Sequence, residues 1–180
     1  PDNRDPVDFE IRKQYLNQFL EMEAKGESAK AISSELVKSK WDGRLKLYVL
    51  WKGLQLRLQN PEMFLGGDYI PLKIEGERKE NVIAFMRRRA GKSALIVAGR
   101  FFADLISGSD QTPTGKEVWR NTEIILPENI GENTKLTDIF SGKEAVIFRR
   151  NGSTMINVDD LLSTLSVSIL TGELEENQRR

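Results

Sequence analysis

The spacing of apolar residues gives the first part of the chain a helical period. From Val7 onwards, apolar side chains recur about every four positions, which places them on one side of an amphipathic helix. We expect Asp5 to cap this helix, with Pro6 at its first position and Gly26 at its end. Ser28 is a suitable N-cap for a shorter second helix. The stripe of the first helix contains Val7, Ile11, Tyr15, Phe19 and Met22.

The stretch from Trp41 to Pro61 predicts a third, much more apolar helix. Asp42 is a good N-cap, and Pro61 cannot continue a helix. Because almost no polar face remains, we expect this helix to be buried on most sides. Two amphipathic helices and one sheet cannot cover it, so we also expect an exposed apolar patch or a second copy of the chain against it. Its apolar residues are Leu45, Leu47, Tyr48, Val49, Leu50, Trp51, Leu54, Leu56 and Leu58.

After Pro61 the pattern changes to short runs rich in β-branched and aromatic residues, separated by turn residues. Pro71 within residues 68–74 is typical of an edge strand. Residues 81–88 and 93–100 predict a hairpin whose turn contains Gly91. Further strands are predicted at residues 117–127, 136–140, 145–149, 154–158 and 165–170, with Asn151-Gly152 as one of the turns.

These elements predict an α+β chain in which N-terminal helices precede an antiparallel β-sandwich. The change of pattern places the boundary between a helical part, residues 1–60, and a sandwich domain, residues 61–180. The chain begins on Pro1 without a Met, so we expect it to be part of a longer protein.

Composition excludes several classes of function. The 180 residues contain 27 basic and 27 acidic side chains, which argues against a nucleic-acid-binding protein. With no Cys and no His, the chain has no thiolate or imidazole metal ligand and no Ser-His nucleophile. We expect no cofactor and no metal. The first residues are no signal peptide and no run of 18 apolar residues exists, so we expect a cytoplasmic protein without a membrane contact.

Several short motifs have a functional and a structural interpretation. Gly91-Lys92-Ser93 resembles the end of a phosphate-binding loop, but Met86 stands where that motif needs a glycine. The basic cluster could bind a phosphate or an anionic glycan, although a solvated turn is the simpler interpretation; it consists of Arg87, Arg88, Arg89 and Lys92. Asp159-Asp160 is a carboxylate pair at a predicted turn, where capping is expected rather than acid–base work.

The tryptophans could stack on sugars or lie in the core. We expect Trp51 and Trp119 to be core residues, and Trp41 fits either interpretation. Asp2, Asn3 and Arg4 form a polar group just before a predicted helix, where loop residues can face a ligand. From the residues alone, this group is a capping loop.

The chain contains, in this order, PDNRDPVDF, WDGRLKLYVLWKGLQLRLQNPEMFLGGDYIPL, ENVIAFMRR, EVWRNTEIILP, LTDIFSGKE and VDDLLSTLSVSIL. Their order and spacing resemble the C-terminal part of the maltooligosyl trehalose synthases, in the alpha-amylase family of glycoside hydrolases. The resemblance implies a (β/α)8 barrel followed by a β-sandwich, with residues 1–60 as the end of the barrel. It implies an isomerase that turns the reducing-end α-1,4 bond of a maltooligosaccharide into an α,α-1,1 bond.

The resemblance also implies where the chemistry lies. The catalytic Asp and Glu of the family stand on barrel strands upstream of Pro1, so this chain alone is expected to be inactive. Asp2, Asn3 and Arg4 match a family step in the loop after the last barrel strand, which implies a substrate-binding role. The family usually continues with Arg-Pro, whereas this chain has Asp5-Pro6. The maltooligosaccharide partner would bind through the missing barrel.

Two alternatives remain open from the sequence. The chain could be a glycan-binding or interaction module, which exposed coplanar aromatic residues would favour. It could also be the C-terminal domain of another amylase-type hydrolase. Self-association of the chain is a further expectation, since the third helix is so apolar.

Overall fold

The computed structural model describes residues 7–106 and 111–174. Its first part is helical: α1 is Phe9–Ala24, α2 is Ala29–Lys38, α3 is Arg44–Gln59 and α4 is Pro61–Gly66. Helix α1 begins later than predicted, because Asp8 is its N-cap and accepts a hydrogen bond from the Ile11 backbone N–H at 2.9 Å. The predicted cap, Asp5, lies outside the described residues. Ser28 caps α2 as predicted.

The second part contains the strands and three short helices. In chain order the strands are β1 (Asp68–Pro71), β2 (Ile74–Glu75), β3 (Val82–Arg89), β4 (Lys92–Gly99), β5 (Glu123–Ile125), β6 (Thr137–Asp138), β7 (Ile147–Arg150), β8 (Ser153–Asn157) and β9 (Val167–Glu173). The short helices are α5 (Ala103–Ile106), α6 (Lys116–Trp119) and α7 (Val158–Leu161). Residues 117–119, where a strand was predicted to begin, therefore belong to a helix.

The strands form two antiparallel sheets that face one another. One sheet has the order β1-β3-β4-β9-β6 and the other the order β2-β5-β8-β7. Pro71 ends the edge strand β1, as the sequence predicts. Met86 and Leu95 from the larger sheet share one buried cluster with Ile124 and Ile156 from the smaller sheet. The predicted α+β class with an antiparallel sandwich is thus confirmed, and no barrel is visible in the described part of the chain.

The first three helices form a layer on the outer face of the five-stranded sheet. On β9, Leu170 points into the sandwich core, whereas its neighbour Ile169 packs on the helical cluster, because successive side chains alternate between faces. The Ser33 hydroxyl of α2 donates a buried hydrogen bond of 2.7 Å to the Phe140 carbonyl. The helical cluster consists of Phe19, Ile32, Leu36 and Tyr48 with Phe140 and Leu165.

Tyr48 is the residue of α3 that this layer buries completely. Its ring makes an edge contact with Phe19 at 5.2 Å between centroids. Burial raises the pKa of the Tyr48 hydroxyl to about 12, with a smaller contribution from the negative charge of Glu23. The hydroxyl therefore stays neutral over the physiological range.

The expected burial of α3 on most sides is wrong for this structure. Leu50, Leu54 and Leu58 are exposed by 55%, 53% and 81%. These residues stand four positions apart, so they form one row along the helix. We call this row the leucine stripe. It faces away from the sheet because α1, α2 and the sheet cover only the side that carries Tyr48. No described helix is long and apolar enough to cross a membrane.

Candidate functional site

The predicted site residues Asp2, Asn3 and Arg4 lie outside the described residues, so the structure does not place them. The described chain starts at Val7, immediately before the N-cap of α1. The start of α1 is therefore the point where the predicted site residues join the described fold.

A groove of about 340 Å³ lies between the starts of α1 and α3. Because both helices contribute their first turns, the groove is bounded by the N-terminal ends of two helices, where backbone N–H groups lack helical partners. The lining combines apolar and charged side chains. The apolar ones are Ile11, Tyr15, Leu47 and Leu50, and the charged ones are Asp8, Arg12, Asp42 and Lys46.

Both carboxylates in this groove accept a backbone hydrogen bond at a helix start. Asp8 is the N-cap of α1, but the prediction that Asp42 caps α3 is wrong, because the chain turns into that helix at Gly43, which adopts a positive φ and is the N-cap. Asp8 accepts from the Ile11 N–H, and Asp42 accepts from the Arg44 N–H at 2.9 Å and from the Arg44 guanidinium at 2.7 Å. The Arg44 backbone hydrogen bond is the main cause that holds the pKa of the Asp42 carboxyl below its ordinary value. A glycosidase general acid needs the opposite shift. Asp42 therefore lacks the raised pKa of a general acid.

Trp41 directly precedes the groove residue Asp42 in the chain and is 78% exposed. It lies in a 3-10 helix, Lys40–Asp42, that joins α2 to α3. The Lys40 ammonium lies 5.0 Å from the centroid of its ring. From the sequence, Trp41 could lie in the core or face a ligand. The structure shows that it does not lie in the core.

The other candidates have structural roles. Trp119 is fully buried in the sandwich core, as predicted, although it belongs to α6. Trp51 is half-buried, with its ring 5.8 Å from that of Phe19. Asp159 and Asp160 lie in the first turn of α7. Within residues 7–106 and 111–174, no three acidic side chains are grouped in a way that could hold a metal ion.

The basic cluster binds the end of α4. The Arg87 guanidinium donates to the Phe64 carbonyl at 2.8 Å, and Arg89 donates to the Gly66 carbonyl at 2.6 Å. Lys92 reaches the Asn60 side-chain oxygen at 3.4 Å. Cations are favourable at a helix C-terminus, where carbonyl groups lack helical partners. These contacts explain the cluster without a bound phosphate or glycan.

Comparisons with known proteins support the resemblance that the sequence predicts. No protein-family model matches the chain. Two curated proteins named as maltooligosyl trehalose synthases, from the CDC 1551 and H37Rv strains of Mycobacterium tuberculosis, are each 28% identical over 156 residues. The match covers 85% of this chain but only 17% of each relative. The chain thus spans about a sixth of the length of these relatives.

Comparison of the fold with solved structures finds the same kind of enzyme. A point mutant of maltooligosyltrehalose synthase from Arthrobacter ramosus superposes with a TM-score of 0.58 and 25% identity. That match covers 96% of this chain and 18% of the solved one. Sequence and structure comparisons together confirm the predicted resemblance: the chain fits a C-terminal part of a maltooligosyl trehalose synthase.

Proposed function

We propose that this chain is the C-terminal part of a (1->4)-alpha-D-glucan 1-alpha-D-glucosylmutase. Such an enzyme converts a maltooligosaccharide into maltooligosyl trehalose by exchanging the terminal α-1,4 bond for an α,α-1,1 bond. The observation that carries the proposal is the similarity to maltooligosyl trehalose synthases over 85% of this chain. The chain itself has a structural role in this proposal, and we place the enzyme in the cytoplasm.

The catalytic carboxylates belong upstream of this chain. Retaining enzymes of the alpha-amylase type use one carboxylate as nucleophile and another as acid and then base. In the α1–α3 groove, Asp8 caps α1 and Asp42 is hydrogen-bonded to Arg44, which lowers the pKa of the Asp42 carboxyl, whereas a general acid needs a raised one. The proposal therefore assigns no catalytic residue to this chain. Asp2, Asn3 and Arg4 remain its proposed substrate-binding residues.

The leucine stripe is the proposed contact with the catalytic part. We propose that residues 1–60 are the end of a (β/α)8 barrel, with α3 as its last helix, and that residues 61–180 are the C-terminal sandwich domain. Outer helices of such a barrel pack their apolar side on the strands. Leu50, Leu54 and Leu58 are exposed as three neighbours in one row. Their exposure supports a missing surface on that side of α3.

Activity assays on two proteins test the proposal. Purified chain of residues 1–180 is incubated with maltopentaose beside the longer protein that contains it. We expect no turnover by the chain and a trehalose-ended product from the longer protein, with the non-reducing product identified by NMR. Trehalose-ended product from the chain alone contradicts the structural role. Hydrolysis alone by the longer protein contradicts the mutase and points to another amylase-type hydrolase.

Binding and size measurements test the role of the chain alone. We expect no measurable affinity of the isolated chain for maltopentaose by calorimetry, because the barrel supplies most of the site. Light scattering is expected to show self-association, or a monomer that binds an apolar dye through the leucine stripe. Strong binding of maltopentaose to the isolated chain would instead favour a glycan-binding module.

A further inference from the structure

Trp41 is an exposed aromatic side chain to which the proposed function gives no role. At 78% exposure most of the indole is in contact with water, and the Lys40 ammonium lies 5.0 Å from the ring centroid. Trp is usually mostly buried, because it is the largest apolar side chain and its burial stabilises the fold. We propose that Trp41 is a substrate-contacting residue whose ring stacks on a glucose unit of the maltooligosaccharide. This inference rests on the proposed function and adds a residue to its binding site.

The backbone around Trp41 is held firmly. The Asp42 N–H donates to the Ser39 carbonyl at 3.1 Å, and the Asp42 carboxylate binds both the backbone and the guanidinium of Arg44. Gly43 has a φ of +84°, a conformation that costs glycine little. On the other side, α2 is anchored by the buried Leu36. The indole is thus presented to solvent from a defined position, which lowers the entropy cost of binding a ligand.

The position of Trp41 in the fold agrees with a substrate contact. In a (β/α)8 barrel each helix follows the C-terminal end of its strand, and the active site lies on that same face. If α3 is the last barrel helix, its start at Arg44 lies on the catalytic face, and Trp41 precedes it by three residues. Asp8 and Asp42 line one groove, so the start of α1 lies close to the turn that carries Trp41.

The chemistry around Trp41 suits a glucan. A glucose ring presents C–H groups on its faces and hydroxyl groups around its edge, so it needs an apolar surface with polar groups beside it. The indole offers such a surface and an N–H donor. Arg12 and Lys46 line the groove that also contains Asp42, the residue after Trp41, and they can donate to hydroxyl groups. A protein surface packed on Trp41 is the competing explanation, and the two differ in what a truncation changes.

Truncation of Trp41 in the longer protein tests the inference. We expect Trp41→Ala to raise the KM for maltopentaose by roughly tenfold, as the loss of one stacked aromatic contact would. Trp41→Phe keeps a ring and should restore most of the affinity. The thermal unfolding midpoint should stay unchanged, because the side chain is exposed. Leu65→Ala is the matched control: Leu65 is 80% exposed but lies in α4, beyond the far end of α3, and its truncation should leave KM unchanged.

The outcomes separate this inference from the proposed function. If the unmodified longer protein forms no trehalose-ended product, the proposed function is wrong. If it does, and Trp41→Ala keeps the KM within twofold, the stacking role is wrong and the proposed function stands. A lowered unfolding midpoint with an unchanged KM shows that Trp41 packs on protein, which also overturns the inference.

Discussion

Leu95 in β4 and Leu54 in α3 are the same side chain in opposite surroundings. Leu95 is fully buried between the two sheets, whereas Leu54 is exposed by 53%. The sandwich encloses its apolar residues because each sheet supplies the cover for the other. The helical layer has a cover on one side only, from the outer face of the larger sheet. The comparison teaches that the two sheets cover each other's inner faces, whereas no described residue covers the leucine stripe of the helical layer.

The largest effect is expected from a substitution in the core of the sandwich. Trp119→Ala removes a fully buried indole that lies against Gly99, where an added Cβ would approach the ring to within 2.7 Å. We expect the free energy of unfolding to fall by about 3–5 kcal/mol, measured by urea denaturation, because a large cavity remains. Trp119→Phe should cost less. A loss below about 1 kcal/mol for the alanine variant would show that this core is not tightly packed.

A smaller effect is expected at the contact between the two regions. Ser33→Ala leaves the buried Phe140 carbonyl without its hydrogen bond from α2. Leaving a buried polar group unpaired costs about 1–3 kcal/mol. We expect helical circular dichroism to be lost at lower denaturant than the fluorescence of Trp119 in the sandwich, recorded with Trp41→Phe and Trp51→Phe in the background because both lie in the helical layer. Ser34→Ala, at the half-buried neighbouring position, is the control. A single shared transition with unchanged stability would mean that this hydrogen bond does not hold the layer.

The smallest effect is expected on the exposed side of α3. Leu54→Gln and Leu58→Gln should change the stability of the isolated chain by less than about 0.5 kcal/mol, because both side chains are already in water. In the longer protein, the same substitutions should be clearly destabilising if the leucine stripe is covered there. Equal effects in the two proteins would show that nothing packs on the stripe, and thermal unfolding of both measures this.

Local signals in the sequence predicted much of the fold. Asn151-Gly152 is a hairpin turn in which both residues adopt positive φ values, as the residue types predict. The hairpin of β3 and β4 turns at Ala90-Gly91 in the same way, with positive φ at both residues. Gly91 is also the first residue of the motif that resembles a phosphate-binding loop. Ser28 and Pro71 likewise have the positions that their backbone chemistry predicts. These features depend on a few neighbouring residues, so the sequence alone suffices.

Features that depend on distant residues were not predictable in this way. The apolar composition of α3 indicates a buried helix, but what covers the side with Leu54 depends on surfaces that residues 7–106 and 111–174 do not supply. Val118 and Trp119 suggest a strand, yet they form a turn of helix in which Trp119 packs against Gly99, twenty positions earlier in the chain. The exposure of Trp41 could not be deduced either, because burial depends on whether distant residues cover a side chain.

The passage from α4 into β1 has a mechanical consequence. Gly67 lies so close to the Met63 and Arg88 carbonyls that any side chain there would collide with both. Arg87 and Arg89 fasten the same corner from the strand side. Bending at this corner would break several of these contacts together. We therefore expect the helices and the sandwich to move together as one rigid unit when a force acts on the helices.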